Sequence, residues 1–402
     1  MATMAGMASR VYVDHAATTP MLPAAREAWL EATMQVGNPS SLHASGRHAR
    51  RLVEESRERI AQALKVRPSA VVFTAGGTES DNLAVKGLYW ARHRATGATR
   101  ILLSAIEHHA VLDPVQWLID DQGAEAGWLP VDPRGRVLLD SIAEALTGRD
   151  VALCTVMWAN NEVGTVQPVA EIAALCRAAG VPFHTDAVQA LGHLPMDLSA
   201  VGADAVTISS HKVGGPFGAG ALIVDPTATL TPVLHGGGQE REVRSGTLDA
   251  PAVSAFAVAV DHAVARQEER ARHLAALRQD LVGAIAQAVP DAVLNGDPGV
   301  GDDRRLPGNV HMSFPGCEGD LLLMLLDAAG IDCSTGSACT AGIPEPSHVL
   351  LAMGVDSSTA RSSLRFSLGE ASTHDDVAAI AAALPAAVDR AKRAGSPVLR
   401  KP

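Results

Sequence analysis

Ile172-Ala173-Ala174-Leu175-Cys176-Arg177-Ala178-Ala179-Gly180-Val181-Pro182-Phe183-His184-Thr185-Asp186 carries the repeating unit of this chain in one stretch. Ile172, Leu175, Cys176 and Ala179 recur at the spacing of one helix face, and Gly180 stands where a C-terminal cap is expected. Val181 to His184 then reads as a short apolar strand, and Asp186 follows at its end. Further apolar or β-branched runs at Ala70 to Phe73, Arg100 to Ser104, Val151 to Met157, Ala205 to Ile208 and Ala219 to Val224 alternate with helical patterns. The alternation predicts an α/β fold with a mostly parallel sheet, in which polar residues just past the strands face a ligand.

The 402 residues are enough for two unequal lobes. The expected division is a large α/β domain over 11–260 and a smaller α+β domain over 261–395, with the first residues after the tail packing on the small lobe. Residues 1–10 and 396–402 read as short tails. The Ala-, Arg-, Glu- and Leu-rich stretch from Pro251 to Val289 predicts a helical link between the lobes, with a bend at Gly283. Hydrophobic residues at 47% and charged residues at 19% describe a folded globular protein, and a net charge of −11 offers no basic footprint for direct contact with nucleic acid. With no signal peptide and no apolar run of membrane-spanning length, a soluble cytoplasmic protein is expected. Five cysteines, odd in number and without a CxxC pair, suit reduced thiols; Cys154, Cys176 and Cys333 read as packing residues.

Chemistry concentrates where the apolar runs stop. Val71-Val72-Phe73-Thr74-Ala75-Gly76-Gly77-Thr78 passes through two glycines into a helix start, a place that suits a phosphate or simply a capped tight turn. Asp186 suits either a helix cap or a carboxylate that keeps a pyridine nitrogen protonated, and Gln189 reaches the same neighbourhood. Lys212 lies between an apolar run and a glycine-rich turn, poorly explained as a solvated charge and well placed to bond an aldehyde carbon covalently. His108 suits ring stacking and proton movement, and Asn161 suits donation to a ring oxygen or a carboxylate. The pair His108-His109 lacks carboxylate or cysteine partners at ligand spacing, so no metal is expected. Cys339 falls in a run of small polar residues from Ser334 to Gly342, accessible for sulfur chemistry or else an idle surface thiol. An acid, an amine and a thiol together suggest pyridoxal 5'-phosphate acting on a sulfur-containing amino acid.

The chain resembles the NifS/IscS-type cysteine desulfurases, which are class-V, fold-type-I pyridoxal-phosphate enzymes of the aspartate aminotransferase kind. The resemblance runs almost end to end through Asp14-His15-Ala16-Ala17-Thr18-Thr19-Pro20, Gly37-Asn38-Pro39-Ser40-Ser41, Thr78-Glu79-Ser80-Asp81-Asn82, Asn160-Asn161-Glu162, Ser209-Ser210-His211-Lys212, His235-Gly236-Gly237-Gly238, Arg244-Ser245-Gly246-Thr247 and Arg365-Phe366-Ser367-Leu368-Gly369. It implies covalent attachment of the cofactor at Lys212, with Asp186 at the pyridine nitrogen, Gln189 at the phenolic oxygen and His108 stacked on the ring. Gly77, Thr78, Ser209 and His211 then resemble the phosphate ligands, and Thr247 a ligand lent by the neighbouring subunit, which implies a homodimer. Asn161 and Arg365 resemble the grip on the substrate carboxylate, and Cys339 the nucleophile that becomes a persulfide as L-cysteine turns into L-alanine. A sulfur-accepting protein, either an iron–sulfur scaffold or a tRNA-thiolating enzyme, is the implied partner. Ser334-Thr335-Gly336-Ser337-Ala338-Cys339 replaces the Arg-x-Gly-His-x-Cys pattern of the selenocysteine lyases, which favours cysteine as substrate. Trp158 and Ser210 depart from common residues at their positions. The alternatives are an aminotransferase or a pyridoxal-phosphate β-lyase in which Cys339 is incidental, and a sulfur carrier or scaffold without turnover.

Overall fold

The computed structural model describes residues 10–299, 304–335 and 346–395. A seven-stranded sheet runs in the spatial order Val71–Thr74, Gly220–Val224, Ala205–Ser209, Phe183–Asp186, Val151–Thr155, Arg100–Ser104, Glu125–Leu129. Only Gly220–Val224 opposes the others, pairing antiparallel with both neighbours. Side chains of these strands divide between two cores. Val71 and Phe73, with Leu102 and Cys154, pack on one face, whereas Val72, Ile101, Leu103 and Leu153 pack on the other. Both faces are therefore covered, as a parallel sheet of near-continuous apolar strands requires.

The helix of the opening stretch is Val169–Ala179, and Gly180 closes it at φ 66°, the left-handed cap that favours glycine. The strand that follows begins only at Phe183, because Pro182 has no N–H to give the ladder. Asp186 is consequently the strand's final residue, at the carboxyl edge of the sheet. Cys176 and Cys154 are fully buried.

A second core belongs to the smaller lobe, where the antiparallel strands Ser363–Ser367, Asn309–Ser313 and Val293–Leu294 pack against Gln267–Ala288 and His374–Gly395. The N-terminal strand Val11–Tyr12 pairs parallel with Ile331–Asp332 of this lobe, and Val13 lies in its core. The link between the lobes differs from the sequence expectation. Two helices, Ala250–Ala265 and Gln267–Ala288, meet at Arg266, while Gly283 sits inside the second. The break falls where burial changes allegiance: Ala255, Phe256 and Ala259 belong to the large core, whereas Leu274, Leu277 and Leu281 belong to the small one.

Candidate active site

A cavity of about 400 Å³ opens at the carboxyl edge of the sheet. Ten of the residues singled out from the sequence line it: Gly77, Thr78, His108, Asn161, Asp186, Gln189, Ser209, His211, Lys212 and Arg365. Thr247 does not line the cavity of its own chain and is exposed. Cys339 lies outside the described residues; Ser334, near the start of its segment, borders the cavity.

Each wall follows from local structure. The helix Gly77–Thr96 points its N-terminus into the cavity, preceded by Gly76 at φ 147°, which a Cβ would strain. A Cβ on Gly77 would come 3.1 Å from Val188 Cγ2, so the smallest residue keeps this corner open. Ser209 Oγ is buried there without a hydrogen-bond partner. A helix N-terminus, a bare glycine and an unpaired hydroxyl form a donor set that fits a phosphate.

Lys212 Nζ donates to the carbonyl oxygens of Ala16 and Ala17, at 2.6 and 2.8 Å. Gln189 Nε2 shares the Ala16 carbonyl at 2.9 Å. Burial first, and then the Arg365 charge, bring the amine down to about 8 from the usual lysine range. Burial and the neighbouring Asp81 carboxyl raise Asp186 to about 7. A ring nitrogen carrying a proton would reverse that, since an adjacent cation favours the carboxylate.

His108 Nδ1 accepts from the Ala110 N–H at 3.0 Å, which leaves the ring proton on Nε2. The protein around it and the Lys212 charge hold the imidazole below the usual histidine value, so it offers a neutral N–H. His211 is pulled down to about 4 by burial and Lys212, and its ring stacks on Phe217.

Arg365 reaches the cavity from the strand Ser363–Ser367 of the small lobe. Its Nη2 meets Asp14 Oδ1 at 2.8 Å and its Nη1 donates to the Asn161 carbonyl at 2.9 Å, while Nε is buried and unpaired. The guanidinium is thus oriented by both lobes and keeps an unused donor, which suits a carboxylate.

Sequence reasoning overlooked several wall groups. The carbonyls of Ala16 and Ala17 are backbone atoms with no residue-type signature. Asp81 stands 3.5 Å from His184 Nε2, both nearly without exposure, and burial raises Asp81 to about 7. Glu162 and His348 also face the cavity. Asp14, Asp81 and Glu162 were legible only as parts of motifs, with no role attached.

The profile of the class-V aminotransferases matches residues 11–380. The chain belongs to the class-V aminotransferase family. Among its relatives in this family is the IscS-like cysteine desulfurase of Mycobacterium tuberculosis, 54% identical over 385 residues that cover 95% of this chain and 97% of the relative. A solved NifS-like protein superposes with a TM-score of 0.87 at 33% identity, covering 95% of this chain and all of the other. The SspA structure in complex with cysteine matches with a TM-score of 0.75 at 32% identity, over 89% of this chain and 98% of that one. Such coverage places this chain in the cysteine desulfurase branch of the class-V aminotransferases, which are pyridoxal-phosphate enzymes. The fold of that branch, a mixed and mostly parallel sheet with flanking helices, is the fold described above.

Proposed function

We propose that this chain is a pyridoxal-phosphate-dependent cysteine desulfurase that converts L-cysteine to L-alanine and passes the sulfur on as a persulfide of Cys339. The observation that carries the reading is the single cavity in which Lys212, Asp186, His108, Asn161 and Arg365 converge, in a chain similar to cysteine desulfurases over nearly its whole length. Lys212 would hold the cofactor, Asp186 would face its ring nitrogen, and Gly77, Thr78, Ser209 and His211 would take its phosphate. Thr247 would complete that cradle in a second copy. Met34, Val36, Leu42 and Phe217 are exposed apolar side chains of the kind a homodimer would cover.

When bound, the cofactor supplies an electron sink for a negative charge at the substrate α-carbon. The chain's own residues do the rest. Arg365 and Asn161 hold the substrate carboxylate, which fixes the α-carbon beside Lys212. The Lys212 ε-amine would be the base that takes the α-proton. Neutral His108 offers its Nε2 proton to groups that gain charge. The Cys339 thiolate would form a bond to the substrate sulfur as the carbon–sulfur bond breaks, and the electron pair of the broken bond would pass to the β-carbon, which takes up a proton to become the alanine methyl group. Sulfur then leaves Cys339 for an acceptor protein or a thiol reductant.

The direct test supplies L-cysteine and a dithiol reductant to the protein loaded with pyridoxal phosphate. Equal amounts of alanine and sulfide are expected, and keto acid without sulfide would instead support transamination. A pH measurement examines the lysine separately. Covalent capture of the cofactor by the cofactor-free protein needs the unprotonated amine, so its rate should rise with pH and level off above about 8. A rate still climbing toward the free-lysine value of about 10.4 would mean that Lys212 is not the capturing group.

A further inference from the structure

Two turns carry groups assigned above to cofactor and substrate. One leaves the strand Arg100–Ser104 and passes through Glu107 to His108; the other leaves Val151–Thr155 and passes through Asn161 to Glu162. They are tied to each other, since Glu107 Oε1 accepts from the Met157 N–H at 2.8 Å and Asn160 Nδ2 donates to the Ile106 carbonyl at 3.0 Å. A third piece of chain grips both. His348 Nε2 lies 2.9 Å from the Glu107 carbonyl, which can only accept, so the imidazole must present Nε2–H. Ser347 Oγ accepts from the Leu350 N–H at 3.1 Å and donates its hydroxyl proton to Glu162 Oε2. A separate apolar cluster backs these two bonds: Val349, Leu350 and Met353 pack on Ile106, Met157 and Val163, which flank the two turns. The His348 bond thus reaches the backbone of one turn, the Ser347 bond reaches the Glu162 carboxylate of the other, and the packing backs both; the residues next in sequence to the two anchor points, His108 and Asn161, line the cavity.

We propose that Ser347 and His348 are positioning residues: His348 fixes the backbone that sets the stacking face of His108, and Ser347 pins the buried Glu162 carboxylate, which anchors the turn that sets Asn161 in the carboxylate grip. The inference rests on the cysteine desulfurase reading. One buried hydrogen bond is worth about 2- to 10-fold in an equilibrium, which sets the scale of the effect.

The test uses the full chain loaded with pyridoxal phosphate. His348→Phe keeps a ring but loses the donor, and should weaken cofactor retention on dialysis about 3- to 10-fold and diminish the visible circular dichroism of the bound cofactor. His348→Gln, which places an N–H near the position of Nε2, should restore both. Ser347→Ala should raise KM for cysteine about 3- to 10-fold with kcat little changed and the dichroic band intact, and Ser347→Thr should restore it. Should His348→Phe fail to fold, His348→Asn, one methylene too short for the Glu107 carbonyl, reads the same contact. Wild-type retention and dichroism in the Phe or Asn variant would overturn the proposal, as would a Gln variant equally defective or a Ser347→Ala variant with unchanged KM. Failure of the underlying reading looks different, because the wild-type protein itself would then take up no pyridoxal phosphate.

Discussion

Lys212→Ala is expected to lower alanine formation from cysteine by about 10⁴-fold, the upper range for loss of a positioned proton-transfer group. The same change should abolish the yellow absorption of covalently held pyridoxal phosphate. The size follows from two roles meeting on one nitrogen, which tethers the cofactor and then moves the α-proton. No other amine lines the cavity among the described residues, so no neighbour can substitute. Absorbance spectroscopy with alanine quantification checks the prediction, and a surviving yellow band would displace the lysine from its assigned role. Loss of that band also separates an enzyme from a sulfur carrier or scaffold, which has no use for the cofactor.

Cys339→Ser should reduce sulfide release and alanine formation to near background, a fall of about 10²- to 10⁴-fold, while leaving cofactor absorption unchanged. A serine hydroxyl does not accept sulfur from the substrate, and the other cysteines are poorly equipped to replace the thiol. Cys154 and Cys176 are fully buried in the sheet's core. Burial, reinforced by Asp14, pushes the Cys333 thiol up to about 12, and burial also raises Cys317, so neither supplies thiolate near neutral pH. Mass spectrometry after incubation with cysteine gives the second readout. A gain of about one sulfur mass belongs on Cys339, and the same gain on Cys333 or Cys317 would mean that the wrong thiol had been chosen.

How much of this was legible in the sequence depended on which force placed each group. The inner strands announce themselves because both faces are buried and nearly every residue is apolar. Glu125–Leu129 escaped notice for the opposite reason: it is an edge strand with a glycine at its centre and Trp128 turned outward. The helix break at Arg266 has neither Gly nor Pro to mark it, because the cause is a change of packing partner rather than a local conformational demand. Lys212 and Asp186 were legible from their setting at strand ends. Asp81 looked like an ordinary first-turn acid, and its burial beside His184 arises only when the helix lies across the sheet. Ser347 and His348 follow a polar segment and gain meaning only from the two distant turns they touch.

The ion pair between Asp14 and Arg365 spans 351 positions of sequence. During synthesis the first partner waits, exposed, until nearly all of the polypeptide has been made, because the strand Ser363–Ser367 has to emerge before the smaller lobe can close over its N-terminal guest. Contacts this far apart slow folding, since the loop must close before any contact repays the entropy. The residues assigned to the cofactor all lie between Gly77 and Thr247, so the arginine that would grip the substrate is the last part of the site to be made.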